Sequence, residues 1–531
     1  MKHIIVFSQA LTICLSAICS VGVTAQKPNI VVIMCDDMGF SDIGCYGGEI
    51  NTPHIDALSE EGIRFSRFKN AGRCCPSRAS LLTGRYQHNV GMGWMTAVDE
   101  HRSGYRGQLC NKVPTVAEIL KDKGYSTYLS GKWHVTVDGN FKNKTNLTPN
   151  GSWPRERGFD EAFGGLSGGG GYYKVSSLIR NETHITAFPD DFYYTDEITK
   201  YAVKFIKGHD VHKPLYLHLM HYAPHRPLQA PRKRVDECRV RYKVGYDVLR
   251  KKRLDRLKKE GIISLDLELP IYNREYKNGR PSWDSLSSEK KEAWIEEMAS
   301  YAAMVEIVDD GVGEVVKALK QKGIYDNTII LFLSDNGATN EGGEISQLAA
   351  DLSNTPYRYY KQFTYNGGVS SPFIIKAPKY KKYRGEIRDE LCHIIDVLPT
   401  CLDLAGVSYP TKFKEKSISN PDGVTLVPVL RNKKLTTRDL FFEHQTSCAI
   451  VSDGYKLVRD HDSNPWELID LRNDPFETTD ISKKDPMKKL ELEKKWNAWA
   501  KVNKVVPMET LPWVKRIAHY KRLNSDQSGL D

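Results

Sequence analysis

The sequence predicts an α/β fold with a largely parallel sheet, followed by a smaller C-terminal region built on a four-stranded antiparallel sheet and a helix. Three observations carry this. Apolar β-type runs alternate with helical patterns through residue 430. The length, 531 residues, suits one large domain plus a smaller one better than a single small core. After residue 431 the pattern changes to four short strand-like runs separated by turns, FFEH, AIVSD, YKLVRD and WELIDL, and then a closing helix over Lys484 to Val502.

Residues 1–25 stand apart. Lys2 and His3 precede an apolar stretch from Ile4 to Val23, and Val23-Thr24-Ala25 forms a small-residue cleavage site. This is a secretory signal peptide, too short and wrongly flanked for a membrane span, and Ile18 fits poorly before a lipoprotein cysteine at Cys19. No later run is long and apolar enough for stable membrane insertion. The mature chain, 26–430 plus 431–531, is expected to be exported, periplasmic or secreted. Removing Cys14 and Cys19 leaves nine of eleven cysteines, an odd number for an exported chain. No CxxC pair points to structural zinc. Asn143, Asn146, Asn150 and Asn181 lie in N-x-S/T sequons.

Ile30 to Cys35 (IVVIMC) reads as the first strand, with Asp36-Asp37 directly after it. Thr52-Pro53 opens a helix through Glu61, since threonine caps and proline suits the first turn. Thr115 to Lys123 is a helix closed by Gly124. Tyr125 to Ser130 is a strand followed by Gly131-Lys132-Trp133-His134. Leu215 to Met220 is a third strand, followed by HYAPHRP, and Thr328 to Leu333 a fourth, followed by Ser334-Asp335-Asn336-Gly337. Open α/β sheets bind ligands beyond the carboxyl ends of their strands. Here those ends deliver Asp-Asp, Lys-x-His, His and Asp-Asn. Carboxylates and an amide oxygen suit Ca²⁺ or Mg²⁺ better than zinc. Lysine and histidines beside them suit an anionic substrate and proton transfer. Any one of these groups alone reads as a turn or cap; four at equivalent strand ends do not.

The stretch CCPSRASLLTGR, Cys74 to Arg85, places a cysteine at the mouth of a short helix, with Pro76 as its first residue, Ser77 to Thr83 as its body and Gly84 as its stop. Unpaired N–H groups there favour negative charge, so a thiol would be acidic and reactive. A disulfide, a zinc ligand and a buried thiol are the alternatives. Elsewhere, the formal charge of +10 is concentrated in Arg232 to Lys259, where thirteen Lys or Arg stand against four acids. That segment reads either as attraction for a polyanionic ligand or as a solvated helical insertion with Leu249, Leu254 and Leu257 as its apolar face. Export and the lack of a binding motif disfavour nucleic acid.

Taken together, Cys74-Cys75-Pro76-Ser77-Arg78-Ala79-Ser80-Leu81-Leu82-Thr83-Gly84-Arg85 resembles the signature C-x-P-S-R-x-x-x-L-T-G-R of the type I, formylglycine-dependent sulfatases, and matches it at every fixed position. The likeness runs from Pro28-Asn29 to the segment Trp466 to Leu471. It implies an alkaline-phosphatase-like α/β/α sandwich and a sulfuric ester hydrolase. It implies that a maturation enzyme oxidises Cys74 to formylglycine, whose hydrate attacks sulfur and reforms the aldehyde as sulfate leaves. It gives Asp36, Asp37, Asp335 and Asn336 as ligands of one Ca²⁺, with position 74 added to the set. Arg78 matches the arginine that holds the hydrate, and Lys132 and Lys361 stabilise the sulfate oxygens. His134 takes the proton of the second hydroxyl. His225 is assigned as general acid, with Lys361 its competitor. His444, after the first C-terminal strand, is a candidate substrate contact, against the reading of an ordinary satisfied histidine. Lys361 lies five residues before Asn366 in KQFTYNGG, where many relatives carry glutamate, so the hydrogen bonding at Asn366 is expected to differ. His221 and the glycine run Gly164 to Tyr173 receive no role beyond a flexible loop near the site. The substrate expected is a sulfated carbohydrate, attacked at a chain end. The alternatives are a phosphodiesterase or phosphonate hydrolase of the same superfamily and an inactive glycan-binding relative.

Overall fold

A computed structural model describes residues 26–505, apart from 98, 138–147, 273–275, 277–278, 342–344 and 462. The leader and the sequons at Asn143 and Asn146 lie outside the described residues.

The main sheet is built from β1 (Asn29–Cys35), β2 (Ile63–Phe65), β3 (Ser126–Gly131), β4 (Glu161–Gly165), β5 (Leu178–Arg180), β6 (Thr183–His184), β7 (Leu215–Met220), β8 (Thr328–Ser334), β9 (Phe373–Lys376) and β10 (Ile387–Arg388). Its order is β10-β2-β9-β8-β1-β7-β3-β4-β5-β6. The centre, β8-β1-β7-β3-β4, is parallel, whereas β9 and β5 run antiparallel to their neighbours. The four strands read from sequence are therefore the central ones. The flanking strands, two to five residues long, are too short for periodicity to reveal.

Strand β1 shows why the sheet lies between two layers. Val31, Ile33 and Cys35 enter one apolar cluster while Ile30, Val32 and Met34 enter another, as the period of two in a strand requires. The first layer contains α1 (Pro53–Glu61), and the second contains α2 (Cys74–Thr83) and α3 (Val116–Asp122). Helix α3 starts at a capping box between Thr115 and Glu118. Helices α4 (Tyr194–Gly208), α5 (Arg232–Tyr242), α6 (Tyr246–Lys259) and the 34-residue α7 (Ser288–Gln321) complete the first layer.

The basic segment forms α5 and α6, and part of its charge is paired with acids of the same chain. On α5, Arg234 pairs with Asp310 at 2.9 Å, Arg239 with Glu292 and Glu296, and Arg241 with Glu306, all on α7. On α6, the fully buried Arg253 pairs with Asp42 at 2.8 Å and Glu49 at 2.7 Å, while Leu249, Leu254 and Leu257 are buried. The segment is a helical insertion with part of its charge paired, while Lys233, Lys243, Lys251, Lys252 and Lys259 stay exposed. None of the nine described cysteines forms a disulfide, so their odd number carried no information about Cys74.

The C-terminal sheet, β11 (Leu440–His444), β12 (Ser447–Ser452), β13 (Tyr455–Arg459) and β14 (Glu467–Asp470), is an antiparallel meander. One face, with Cys448, Ile450, Leu457 and Leu468, packs with Trp496 and Trp499 of α8 (Pro486–Val502). The other face, with Ala449, Val451, Val458 and Ile469, packs on Tyr359, Tyr365 and Val369. That second face supports the loop that carries Lys361. Among the described residues no helix is long and apolar enough to cross a membrane.

Candidate active site

Helix α2 begins at Cys74, two residues before the proline expected to open it, with extended Arg73 before it and left-handed Gly84 after Thr83. Cys74 is 1% exposed. Burial raises its thiol pKa, but a hydrogen bond from Cys75 and the charges of His134, Lys132 and Lys361 outweigh that and hold it well below the ordinary thiol value. The thiol is acidic, as the sequence suggested, through the Cys75 hydrogen bond and then the surrounding side-chain cations.

The carboxyl ends of β1, β3, β7 and β8 bring the predicted residues together. Arg78 Nη2 reaches Asp335 Oδ2 at 2.9 Å and Asp36 Oδ2 at 3.3 Å, while its Nη1 donates to the carbonyl of Lys132 at 2.9 Å. Lys132 pairs with Asp36. Lys361 Nζ lies 2.7 Å from Asp37 Oδ1, and Asn336 Nδ2 donates to the same oxygen at 2.6 Å. His225 Nε2 is 3.7 Å from Asp37 Oδ2, and its other ring nitrogen meets the carbonyl of Arg226 at 2.6 Å. Asp37 and His134 have φ of 66° and 53°, left-handed values that non-glycine residues adopt at a cost and that cluster at functional sites.

The electrostatics are those of a pocket with too many carboxylates. Burial raises Asp36, but Lys132, His225 and Arg78 hold it at about 2. Burial raises Asp37 to about 6, with Lys361 opposing and Asp36 assisting. Burial and Asp36 push Asp335 well above the ordinary range. Asp36 Oδ1 and Asn336 Oδ1 are buried without a hydrogen-bond partner. Three carboxylates and one amide, two of whose oxygens are orphaned, fit a hard divalent cation, whose charge would relieve the repulsion.

Two residues of the site, Glu341 and Gly168, escaped sequence reasoning. Glu341 accepts from Arg73 and Gln362 through Oε1, and its Oε2 lies 3.4 Å from Lys361 Nζ. Burial raises its pKa, but Arg73 and Lys361 outweigh this and hold it well below the carboxylate range. The glycine run also acquires a structural part. A Cβ on Gly168 would stand 2.0 Å from His134 Nε2, so the chain passes against that ring only because the residue is glycine.

The departure at Asn366 is compensated from the C-terminal region. The Asn366 N–H donates to Glu477 Oε2 at 2.7 Å, Lys69 donates to Asn366 Oδ1 at 2.8 Å, and Lys456 pairs with Glu477 Oε1 at 2.5 Å. Carboxylate charge thus comes from a residue 111 positions away. His444 ends β11 opposite Ser447, whose hydroxyl accepts from the Thr364 N–H at 2.9 Å. It is fully buried, as the lysines of the site nearly are, so burial does not separate its two readings. His221 is fully buried with no hydrogen bond to either ring nitrogen.

The sequence model of the sulfatase family matches residues 28–407, and that of the N-sulphoglucosamine sulphohydrolase C-terminal region matches 356–501. The chain is 32% identical to an arylsulfatase of Klebsiella aerogenes, covering 76% of this chain and 91% of that one. It is 27% identical to an N-acetylglucosamine-6-O-sulfatase of Bacteroides thetaiotaomicron, over 86% and 83% of the two chains. Among solved structures, the crystal structure of Ps i-CgsB superposes with a TM-score of 0.68 at 26% identity, over 95% of this chain and all of that one. The chain belongs to the sulfatase family of the alkaline-phosphatase-like superfamily and is a sulfuric ester hydrolase.

Proposed function

We propose that this sulfatase hydrolyses sulfate esters of a carbohydrate at a chain end or on a small saccharide, with Cys74 converted to formylglycine and one Ca²⁺ held by Asp36, Asp37, Asp335 and Asn336. The observation that carries the reading is the position of Cys74, at the first turn of α2 among Lys132, His134 and Lys361. The hydrated aldehyde supplies an oxygen nucleophile that can later expel sulfate, and the ion supplies positive charge toward the ester oxygens. The chain itself does the rest. Lys132 and Lys361 place two buried cations where sulfate charge must be stabilised. Arg78, bonded to Asp36, Asp335 and the Lys132 carbonyl, fixes the geometry of three contributors at once.

His134, pressed by the glycine run, accepts the proton at position 74. His225 protonates the departing alkoxide. Burial and the two lysines hold its pKa at about 3, so the ring is neutral in the free pocket and takes up its proton when an anionic ester is bound beside it. Lys361, which Asp37 and Glu341 keep charged against the effect of burial, is the reserve donor. The carbohydrate part rests on the Bacteroides relative and on the C-terminal sheet, one face of which packs against the loop that carries Lys361. The wall near His444, a division of the chain near residue 431, maturation by a separate enzyme and export through residues 1–25 belong to the same reading.

The test compares kcat/KM for sulfated monosaccharides, oligosaccharides, intact polymers and a small aryl sulfate. Small sulfated sugars should be the best substrates. Preference for the aryl sulfate, or early cleavage throughout the interior of a polymer, contradicts the reading.

A further inference from the structure

We propose that Glu341 reads the sugar that leaves: its Oε2 accepts a hydrogen bond from a hydroxyl or amine next to the scissile ester, and its charge turns away a second sulfate or carboxylate there. The assignment rests on the carbohydrate reading above. Three observations lead to it. Glu341 Oε1 is filled by two donors, Arg73 Nη1 and Gln362 Nε2, which fix the carboxylate in one orientation. Among the described residues Oε2, by contrast, faces only Lys361 Nζ at 3.4 Å, beyond a good hydrogen bond, and so keeps capacity for another donor. The side chain is 20% exposed whereas Lys361 is 1% exposed, which puts Glu341 on the open side of the lysine.

The position also matches the leaving group. His225, the residue assigned to protonate the departing oxygen, and Glu341 flank one ion pair: His225 Nε2 lies 3.7 Å from Asp37 Oδ2, and Lys361 Nζ, 2.9 Å from that oxygen, lies 3.4 Å from Glu341 Oε2. A sugar whose ester oxygen lies at His225 therefore brings its neighbouring substituents towards Glu341. A carboxylate is a strong acceptor for a hydroxyl or ammonium donor and a poor neighbour for a second anion. An aryl ester has no such substituent and would gain nothing from the contact. Recognition of a hydroxyl by a fixed polar group can discriminate strongly, because the group is left unpaired when the hydroxyl is missing.

The experiment uses the full, matured protein and its Glu341→Gln and Glu341→Asp variants. The substrates are a monosulfated sugar with a free hydroxyl beside the ester, the same sugar with a second sulfate there, and a small aryl sulfate. The readout is the ratio of kcat/KM between substrates, so that a general loss through Lys361 cancels; thermal unfolding confirms folding. Glu341→Gln should lower the monosulfated-to-aryl ratio by about 10- to 100-fold, the size expected for one hydrogen bond to a charged group. It should also raise the doubly sulfated sugar relative to the monosulfated one. Glu341→Asp should keep the bias against the second sulfate, because it keeps the charge. Equal losses on sugar and aryl esters would make Glu341 a positioning residue for Lys361 and overturn the assignment. So would a variant with wild-type ratios while the parent hydrolyses the sugar normally. A parent that hydrolyses the aryl ester and no sugar overturns the carbohydrate reading, and this assignment with it.

Discussion

Lys361 and Asp37 form a buried ion pair of 2.7 Å whose partners come from loops 324 residues apart. The pair ties the loop carried by the C-terminal sheet to the end of β1, and it holds the lysine charged where sulfate must bind. Replacing Lys361 by alanine should lower kcat/KM by about 10²- to 10³-fold, the usual cost of one preorganised donor to developing charge. The loss should fall mainly on kcat, which steady-state kinetics on any accepted sulfate ester will show.

The crowding of Asp36, Asp37 and Asp335 predicts that the empty pocket is strained and the calcium form relaxed. Chelation should abolish activity and lower the unfolding temperature, and Ca²⁺ should restore both better than Zn²⁺. At a hundredfold excess over its dissociation constant the ion should add about 2.7 kcal/mol of stability. Metal analysis showing two zinc ions per chain would contradict this site.

Gly168 offers a test of His134 that leaves the histidine in place. In Gly168→Ala the new methyl group must displace a ring whose atoms lie 2.0 and 2.1 Å from it. The expected outcome is a fall in kcat on the order of 10²-fold, the lower end for a displaced proton acceptor. Overpacking should cost only about 1–3 kcal/mol of stability. Normal kcat in this variant would show that the ring position does not matter.

What could be read in the sequence, and what could not, follows the range of each interaction. The strand ends were legible because each delivers its chemistry within five residues of an apolar run: Asp36-Asp37 after Cys35, Asp335-Asn336 after Leu333, Lys132 and His134 after Ser130, and His225 after Met220. The C-terminal meander was legible for the same local reason. Glu341 was not, because its meaning comes from Arg73, 268 positions earlier. Glu477 stands 111 residues from the Asn366 it compensates, and the basic segment found its acids on a later helix. The glycine run looked like slack chain, since nothing local says that a histidine ring lies against it.

His221 should leave a mark on acid stability. Burial lowers its pKa from 6.5 to about 3, so between those values the unfolded chain holds a proton that the folded chain lacks. Its contribution is present above pH 6.5 and lost as pH falls towards 3, at about 1.4 kcal/mol per pH unit. His221→Leu, which removes no hydrogen bond, should flatten the slope of unfolding free energy against pH by that amount over this window. Parallel slopes for variant and parent would mean that the ring is protonated in the folded state.

The central claim is that Cys74 is the precursor of the nucleophile. It is tested most directly by the mass of the peptide Cys74–Arg78 from active protein made in a host with the maturing enzyme, measured beside turnover by Cys74→Ala. The first cysteine should have lost its sulfur and carry an aldehyde oxygen instead, with Cys75 unchanged. Cys74→Ala should unfold at nearly the parent temperature with no measurable turnover. An active protein whose peptide still carries both thiols, or a Cys74→Ala variant that keeps most of its activity, would contradict it.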